Sequence, residues 1–134
     1  MKDAYRMVAD FHRAFGVDAP DAMTSPSADV VKLRWELMTE ELAEYAVAVA
    51  SHDDVGIADA LADLAYVVIG TAVAHGLTRF DEIFSAVHIS NMSKLGPDGK
   101  PIYRPDGKVL KGDNYSPPNL APLLQTNDRS NQCP

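Results

Sequence analysis

Apolar residues recur at helical spacing through the first 95 positions of the chain, and that spacing is lost afterwards. Apolar side chains three or four positions apart share one face of a helix, so the pattern predicts helices. The first of four such segments stops at Gly16. The second follows Ser25-Pro26, where a serine can cap the helix and a proline suits its first turn. The predicted helices cover residues 3–15, 26–51, 54–75 and 79–95.

Short connections join these helices, which predicts antiparallel neighbours. Asp53 or Asp54 would cap the third helix, because an aspartate can accept hydrogen bonds from the free amides of the first turn. Thr78, with Asp81 three positions later, would begin the fourth. We therefore expect an all-α fold with an antiparallel four-helix bundle-like core, in a single domain over residues 1–124.

After Gly96 the apolar residues no longer recur at helical spacing. PDGK occurs twice, at residues 97–100 and 105–108. The residues beside the second copy flank it as strands flank a turn, which predicts a short hairpin. Residues 96–124 are expected to form an irregular arm, and the polar residues 125–134 a flexible tail.

Glutamates interrupt the apolar pattern of the second helix at TEELAEY. At 100° per residue, Glu41 lies at the centre of the inward face, and Glu40 and Glu44 lie further round the same flank. Glu36 falls on the solvent face. A buried carboxylate without a partner is costly, so Glu41 is expected either to pair with Arg34, on the same stripe, or to hold a ligand.

The third helix places Asp59, Asp63, Tyr66 and Gly70 on one stripe, and most of residues 57–74 is apolar. A helix without a polar face must be covered on nearly all sides, which predicts a subunit interface and a homodimer or homotetramer. The glycine would let a neighbouring backbone approach closely. Two aspartates inside the segment argue against a membrane span.

Composition narrows the class of function. The 134 residues are 46% hydrophobic and 23% charged, as expected for a globular domain. A net charge of −7 and the lack of a basic cluster argue against binding a nucleic-acid polymer. The single cysteine, Cys133, cannot form an internal disulfide, and the N-terminus lacks the apolar run of a signal peptide. A cytoplasmic location is expected.

Two antiparallel helices would bring five carboxylates toward one another, and their mutual repulsion favours a bound cation. Oxygen ligands without a cysteine or a well-placed histidine suit Mg²⁺, or Mn²⁺ in its place. A di-iron bundle would need Glu-x-x-His, which is missing here. Magnesium in turn suggests a phosphate substrate. This acidic cluster comprises Glu40, Glu41, Glu44, Asp59 and Asp63.

These motifs resemble those of the all-α nucleoside triphosphate pyrophosphohydrolases, which include MazG proteins, dimeric dUTPases, dCTP pyrophosphatases and phosphoribosyl-ATP pyrophosphohydrolase. The superfamily pattern is Glu-x-x-Glu on one helix, here Glu41 and Glu44, and Glu-x-x-Asp on the next, here ending at Asp63. The segment SNMSKLGPDGKP is similar to the tail of a MazG-like subgroup. The resemblance covers most of residues 5–124.

The resemblance implies Mg²⁺-dependent cleavage between the α and β phosphates of a nucleotide, giving a nucleoside monophosphate and pyrophosphate. It implies Glu41, Glu44 and Asp63 as metal ligands. The chain departs from the pattern at Ala60, where the first glutamate of the second motif is expected. Asp59 lies one helical turn before Asp63 and is the carboxylate available to replace it.

The same resemblance suggests the remaining roles. Glu40, or a carboxylate such as Glu41 if metal leaves it free, would orient and deprotonate the attacking water. Phe11, Phe15 and Trp35, like Tyr66, are candidates for stacking on a base, although aromatic residues at helical spacing also suit a core. The lysines named below also suit a solvated surface. The expected substrate-binding residues are His88, Asn91, Lys94, Lys108 and Tyr66.

Two other functions stay open at this point. If the alanine at position 60 has removed turnover, the chain would be a non-catalytic, metal-dependent nucleotide-binding or regulatory dimer. If Arg34 and lysines balance the acidic cluster, it would be a purely structural helical dimer.

Overall fold

A computed structural model describes residues 2–125; Met1 and residues 126–134, which hold Cys133 and nearly all of the expected tail, lie outside the described residues. The described part is helical, and its one β-bridge is isolated. The predicted all-α fold with a bundle-like core is confirmed. The helices are α1 (Lys2–Ala14), α2 (Ala28–Ala50), α3 (Asp54–Ala74) and α4 (Phe80–Met92), and a 3₁₀ turn covers Ala121–Leu123.

The helices fall into two compact units. The first contains α1, α2 and α3 and ends at Thr78, and the second begins at Arg79 with α4 and the arm. In the first unit α3 packs against both α1 and α2, so it is the central helix. The organisation of residues 1–124 as one domain stays a prediction. The buried apolar residues are small or β-branched: Val8, Ala9, Ala48, Ala60, Ile69, Ala72, Val73 and Ala74.

Local hydrogen bonds set where α2 and α3 begin. Ser27, rather than Ser25, caps α2, because the Ser27 hydroxyl accepts from the Val30 N–H at 3.4 Å. The helix therefore starts two residues later than predicted. Of the two predicted candidates, Asp53 caps α3, and its side chain accepts from the Gly56 N–H at 3.0 Å.

The predicted start and end of α4 were wrong. Thr78 does not cap this helix, which begins at Phe80 after Arg79. The Arg79 side chain instead donates to the Glu82 carboxylate, with Nε at 2.8 Å from one oxygen. The helix ends at Met92 rather than at residue 95, because tight turns replace the helical hydrogen bonds beyond that point.

The loop between α1 and α2 is fastened to the end of α3. The Thr24 N–H donates to the His75 carbonyl at 3.0 Å. Gly76 has a φ of 67°, and a Cβ there would lie 1.9 Å from the Ala22 carbonyl oxygen. Only glycine fits this position, because both its backbone conformation and its close contact exclude a side chain.

The arm contains the same turn twice. In each PDGK copy the glycine has a positive φ, 72° at Gly99 and 86° at Gly107, and the aspartate accepts from the lysine N–H. The second turn closes a hairpin with a single antiparallel bridge between Tyr103 and Val109. The predicted hairpin is present, in this minimal form.

Serines of α4 hold the arm within the second unit. The Ser90 hydroxyl donates to the Ser116 carbonyl at 2.8 Å, and the Ser116 N–H donates to the Ser93 hydroxyl at 2.9 Å. The arm thus follows α4 through side-chain bonds rather than through a sheet.

Among the described residues, α3 is long and apolar enough to cross a membrane by length and composition alone. The core helix of a soluble protein passes the same test. This helix carries Asp59 and Asp63, which would be costly in lipid, and it packs against two other helices. Its composition therefore fits the central helix of the first unit.

Candidate active site

Two close contacts show how α2 and α3 lie against each other. A Cβ built on Gly56 would lie 3.2 Å from Cβ of Ala48, and one built on Gly70 would lie 3.1 Å from Nη1 of Arg34. Each residue back along α2 thus corresponds to one residue forward along α3. The two helices form an antiparallel pair, as the short connection predicts.

This alignment places the acidic residues of the two helices at matching levels. Glu41 is level with Asp63, and Glu44 is level with Ala60. Ala60 is only 3% exposed, so the position where the superfamily pattern has a glutamate lies in the packed interior. Asp59, its neighbour, is exposed.

A surface cavity of about 430 Å³ collects one part of the acidic cluster. Glu40, Glu44 and Asp59 line it, and Ala60 forms part of its wall. Asp59 and Glu44 therefore face the same space, as a replacement for the missing glutamate requires. Glu41 and Asp63 lie outside that lining.

Glu41 is the partly buried member of the acidic cluster. Its Oε2 is buried and has no hydrogen-bond partner among residues 2–125. Burial raises the pKa of Glu41, and the negative charges of Glu44, Asp63, Glu40 and Asp59 raise this pKa further, in that order. These charges all act in the same direction, so the site favours either a proton or a metal cation on Glu41.

The ion pair between Arg34 and Glu41 is absent. Nη2 of Arg34 bonds instead with Nε2 of His12, at 3.2 Å. Within the described part of the chain no member of the acidic cluster makes an ion pair, so the structural dimer balanced by Arg34 and lysines is not supported. Glu36, by contrast, pairs with Lys32 at 3.6 Å on the solvent face, as its position on the helical wheel predicts.

The acidic cluster fits a magnesium ion in its chemistry but not yet in its arrangement. All five groups offer hard carboxylate oxygens, and the buried Oε2 of Glu41 lacks a partner. No three His, Cys, Asp or Glu side chains within residues 2–125 are arranged to hold a metal ion. Binding would therefore require side-chain rotation of the carboxylates on α2 and α3.

Aromatic side chains lie next to the acidic cluster along α3. Tyr66, three residues after Asp63, is 39% exposed and meets Phe11 edge-on at 5.8 Å between ring centroids. Phe11 stacks on Phe15 at 4.4 Å. Phe15 and Trp35 are also exposed, so none of these aromatics is a core residue of the described structure. These aromatics thus lie outside the core of a single copy of the described chain, and their stacking on a base stays a prediction.

The other predicted substrate-binding residues belong to the second unit. His88 and Asn91 are exposed on α4, three positions apart and thus on one face. Lys94 is brought to Asn91, since its Nζ donates to the Asn91 Oδ1 at 2.7 Å. Lys108 lies in the exposed second PDGK turn, where Asp106 accepts from its backbone N–H.

The sequence profile of the phosphoribosyl-ATP pyrophosphohydrolase family matches residues 8–91. The match covers more than half of the chain and includes α2, α3 and the whole acidic cluster. The protein thus belongs to the all-α nucleoside triphosphate pyrophosphohydrolase superfamily and is a pyrophosphohydrolase, a hydrolase acting on phosphoric anhydrides. Within that superfamily it belongs to the phosphoribosyl-ATP pyrophosphohydrolase family. A comparison with curated proteins found no match.

The family assignment confirms the resemblance drawn from the carboxylate motifs. The matched region ends at Asn91, so it includes His88 and leaves out Lys94 and both PDGK turns. The arm therefore lies outside the matched region.

Sequence reasoning missed one partnership in the first unit. The sequence pattern offers Arg34 as a partner for Glu41 and gives His12 no role in the site. The structure joins these two side chains across α1 and α2. The available signal was the position of His12 among Val8, Phe11 and Phe15 on the apolar stripe of α1.

Proposed function

We propose that the protein is a Mg²⁺-dependent nucleotide pyrophosphohydrolase that cleaves the bond between the α and β phosphates and releases a nucleoside monophosphate and pyrophosphate. The observation that carries this proposal is the buried, unpartnered oxygen of Glu41 among four further carboxylates. An acidic cluster without internal counter-charges suits a cation, and a pyrophosphohydrolase acts on a polyanion that needs one.

Glu41, Glu44 and Asp63 would hold the ion, and Asp59 would add a carboxylate from the cavity that it shares with Glu44. In this arrangement Asp59 takes over from the glutamate that Ala60 replaces. Mn²⁺ would also suit the site, because it likewise binds oxygen ligands. When bound, the ion supplies positive charge that neutralises the phosphates and the leaving pyrophosphate.

Glu40 is the first candidate to orient the attacking water and to accept its proton. It is exposed, lines the cavity beside Glu44 and Asp59, and makes no ion pair within the described chain. It can therefore reach solvent and the cavity together. Glu41 is the second candidate only if the ion leaves its carboxylate free, because its raised pKa then brings it closer to the range in which it accepts protons at neutral pH.

The exposed aromatic residues beside Asp63 suit a nucleotide base. Tyr66 would stack on the base, and Phe11 supports its ring edge-on. In the second unit, Asn91 and Lys94 are hydrogen-bonded to each other, and they stay predicted substrate-binding residues together with His88 and Lys108. Phosphoribosyl-ATP, named in the family description, and ordinary ribo- or deoxynucleoside triphosphates are the candidate substrates.

A homodimer or homotetramer is part of the same proposal. Large apolar side chains of the two helices that carry the acidic cluster are exposed, and a second copy of the chain would cover them. Such an enzyme would act on nucleotides in the cytoplasm. The exposed side chains are Trp35, Leu42 and Val47 on α2 and Val55, Leu61 and Val68 on α3.

The direct test is to incubate the pure protein with Mg²⁺ and a panel of nucleoside triphosphates and phosphoribosyl-ATP, and to identify the products. Monophosphate and pyrophosphate are expected from at least one substrate. Release of orthophosphate would contradict the mechanism. Mg²⁺-dependent nucleotide binding without turnover would favour the non-catalytic module instead.

A further inference from the structure

Arg34 is a partly buried cation without an anionic partner. It has one hydrogen-bond partner in the described structure, Nε2 of His12, and its Nε is buried and unpartnered. Burial lowers the pKa of Arg34, but a guanidinium remains protonated at any physiological pH. A buried arginine is usually paired with a carboxylate. Arg34, by contrast, has no carboxylate partner in the described structure and keeps its positive charge.

His12 holds this arginine without cancelling its charge. The imidazole is 2% exposed, and its Nδ1 lies 3.0 Å from the Asp18 carbonyl oxygen. A carbonyl oxygen can only accept, so Nδ1 carries the hydrogen and Nε2 presents a lone pair to Arg34. Both bonds are therefore satisfied by a neutral histidine, which fixes the direction of the guanidinium.

Gly70 provides the space for this arrangement. A Cβ there would lie 3.1 Å from Nη1 of Arg34 and 3.2 Å from Nε2 of His12. We had expected Gly70 to admit a neighbouring backbone, but it admits these two side chains instead. Arg34, His12 and Gly70 together form what we call the arginine cradle.

The arginine cradle and the acidic cluster occupy the same seam between α2 and α3. Arg34 precedes Glu41 by seven residues, and Gly70 follows Asp63 by seven. At 1.5 Å per residue the two levels are about 10 Å apart. A molecule that extends along the seam from the carboxylates would meet a fixed positive charge at the other end.

We propose that Arg34 is a substrate-binding residue that receives a phosphate group of the nucleotide, and that His12 positions it. The planar guanidinium suits phosphate oxygens, and its Nη1 and Nε make no hydrogen bond within the described residues. The inference rests on the proposed function only for placing the substrate along the seam. The phosphate belongs either to the released pyrophosphate or to the nucleoside monophosphate.

Calorimetric titration with inorganic pyrophosphate and with AMP, each without Mg²⁺, separates these sources. Arg34→Gln should weaken binding of one of the two anions on the order of 10- to 100-fold. Lys32→Gln is the matched control, since Lys32 lies on the solvent face of α2 and pairs with Glu36. Equal binding by Arg34→Gln and the wild type, or failure of the wild type to bind either anion, overturns the proposal.

Two substitutions of His12 separate positioning from a merely structural role. His12→Gln keeps an oxygen that can accept from Arg34, whereas His12→Leu does not. In folded protein, His12→Leu should weaken the same anion as Arg34→Gln does, and His12→Gln should retain most of the affinity. Equal affinity in both variants would overturn the positioning role, and this pair also serves if Arg34→Gln does not fold.

The metal proposal is tested separately in the same samples. Mg²⁺ should raise the melting temperature of Arg34→Gln as it does for the wild type, and not that of Glu41→Gln. Unchanged anion binding together with an intact Mg²⁺ effect sinks the role of Arg34 alone. If Mg²⁺ does not raise the melting temperature of the wild type, the proposed metal site is contradicted. The anion titrations still test the role of Arg34 in that case.

Discussion

The two ends of the α2–α3 seam carry opposite charges, and the protein treats them differently. At one end the acidic cluster has no counter-charge within the described chain, and Glu41 has a buried oxygen without a partner. At the other end Arg34 is held by a neutral histidine. Among residues 2–125, a hydrogen bond orients Arg34, and none holds the carboxylates of the acidic cluster.

This difference teaches what each end needs from a ligand. A fixed guanidinium can select the position of a phosphate before binding. Free carboxylates can rotate to suit the coordination distance of an ion. If both proposals hold, the seam combines a preorganised contact for an anion with an adaptable contact for a cation.

The largest effect is expected from substitutions in the acidic cluster. Glu41→Gln and Asp63→Asn should each reduce kcat about 100-fold or more, because both would remove a charge from the metal site. Product formation from the best substrate of the panel, at saturating Mg²⁺, measures this. Glu36→Gln is the matched control on the solvent face, and activity unchanged in both site variants would contradict the mechanism.

The next largest effect is expected from a substitution in the arginine cradle. Gly70→Ala would place a methyl group 3.1 Å from Nη1 of Arg34 and 3.2 Å from Nε2 of His12, so both side chains must shift by a few tenths of an ångström. Overpacking costs about 1–3 kcal/mol of unfolding free energy, and alanine returns about 0.5–1 kcal/mol inside a helix, so we expect a net loss on the order of 1 kcal/mol. Urea denaturation monitored by circular dichroism measures the loss. The Mg²⁺-dependent rise in melting temperature should persist, since the carboxylates are not touched; its disappearance would show that the two ends are coupled.

The pH dependence of stability sharpens the comparison. Folding raises the pKa of Glu41 above its ordinary value of 4.5, so the native state holds this proton more tightly than the unfolded chain. The Glu41 contribution to stability is therefore present at acidic pH. It is lost as the pH rises from the pKa of Glu41 in the unfolded chain through its higher pKa in the folded protein. Melting temperatures of metal-free protein from pH 4 upward test this.

Glu41→Gln should flatten that dependence and raise the melting temperature of the metal-free protein at neutral pH. Added Mg²⁺ should stabilise the wild type at neutral pH and not Glu41→Gln. A steeper loss of stability in the variant would contradict the assignment of the effect to Glu41.

The smallest expected effect concerns the substitute ligand. Asp59→Asn should weaken Mg²⁺ binding, followed by calorimetry, about 10-fold, less than Asp63→Asn, because Asp59 is exposed and only supplements the main ligands. Equal losses in both variants would show that Asp59 is a full ligand in place of the glutamate missing at Ala60.

Features that depend on local geometry could be predicted from the sequence. The helical wheel places Glu41 inward and Glu36 outward, and both positions are confirmed, because a helix fixes the direction of each side chain. The Asp53 cap was predicted for the same reason. Ser25 was wrong as the cap because Ser27 also lies near the start of α2, and sequence alone does not decide between two serines two positions apart.

Features that depend on contacts between distant residues could not be predicted. The bond between His12 and Arg34 joins residues 22 apart, and the sequence does not show how α1 meets α2. The role of Gly70 depends on the same contact. The family assignment was within reach because its motifs are short spacings on single helices.

The Asp18 carbonyl has a consequence for how this protein can vary. It fixes the tautomer of His12 through a main-chain atom, so the side chain at position 18 takes no part in that bond. Replacing Asp18 by Asn or Ala should leave the arginine cradle unchanged. Sequence drift in this loop is thus compatible with an unchanged site, provided that its backbone path, closed by Gly76 against Ala22, is kept.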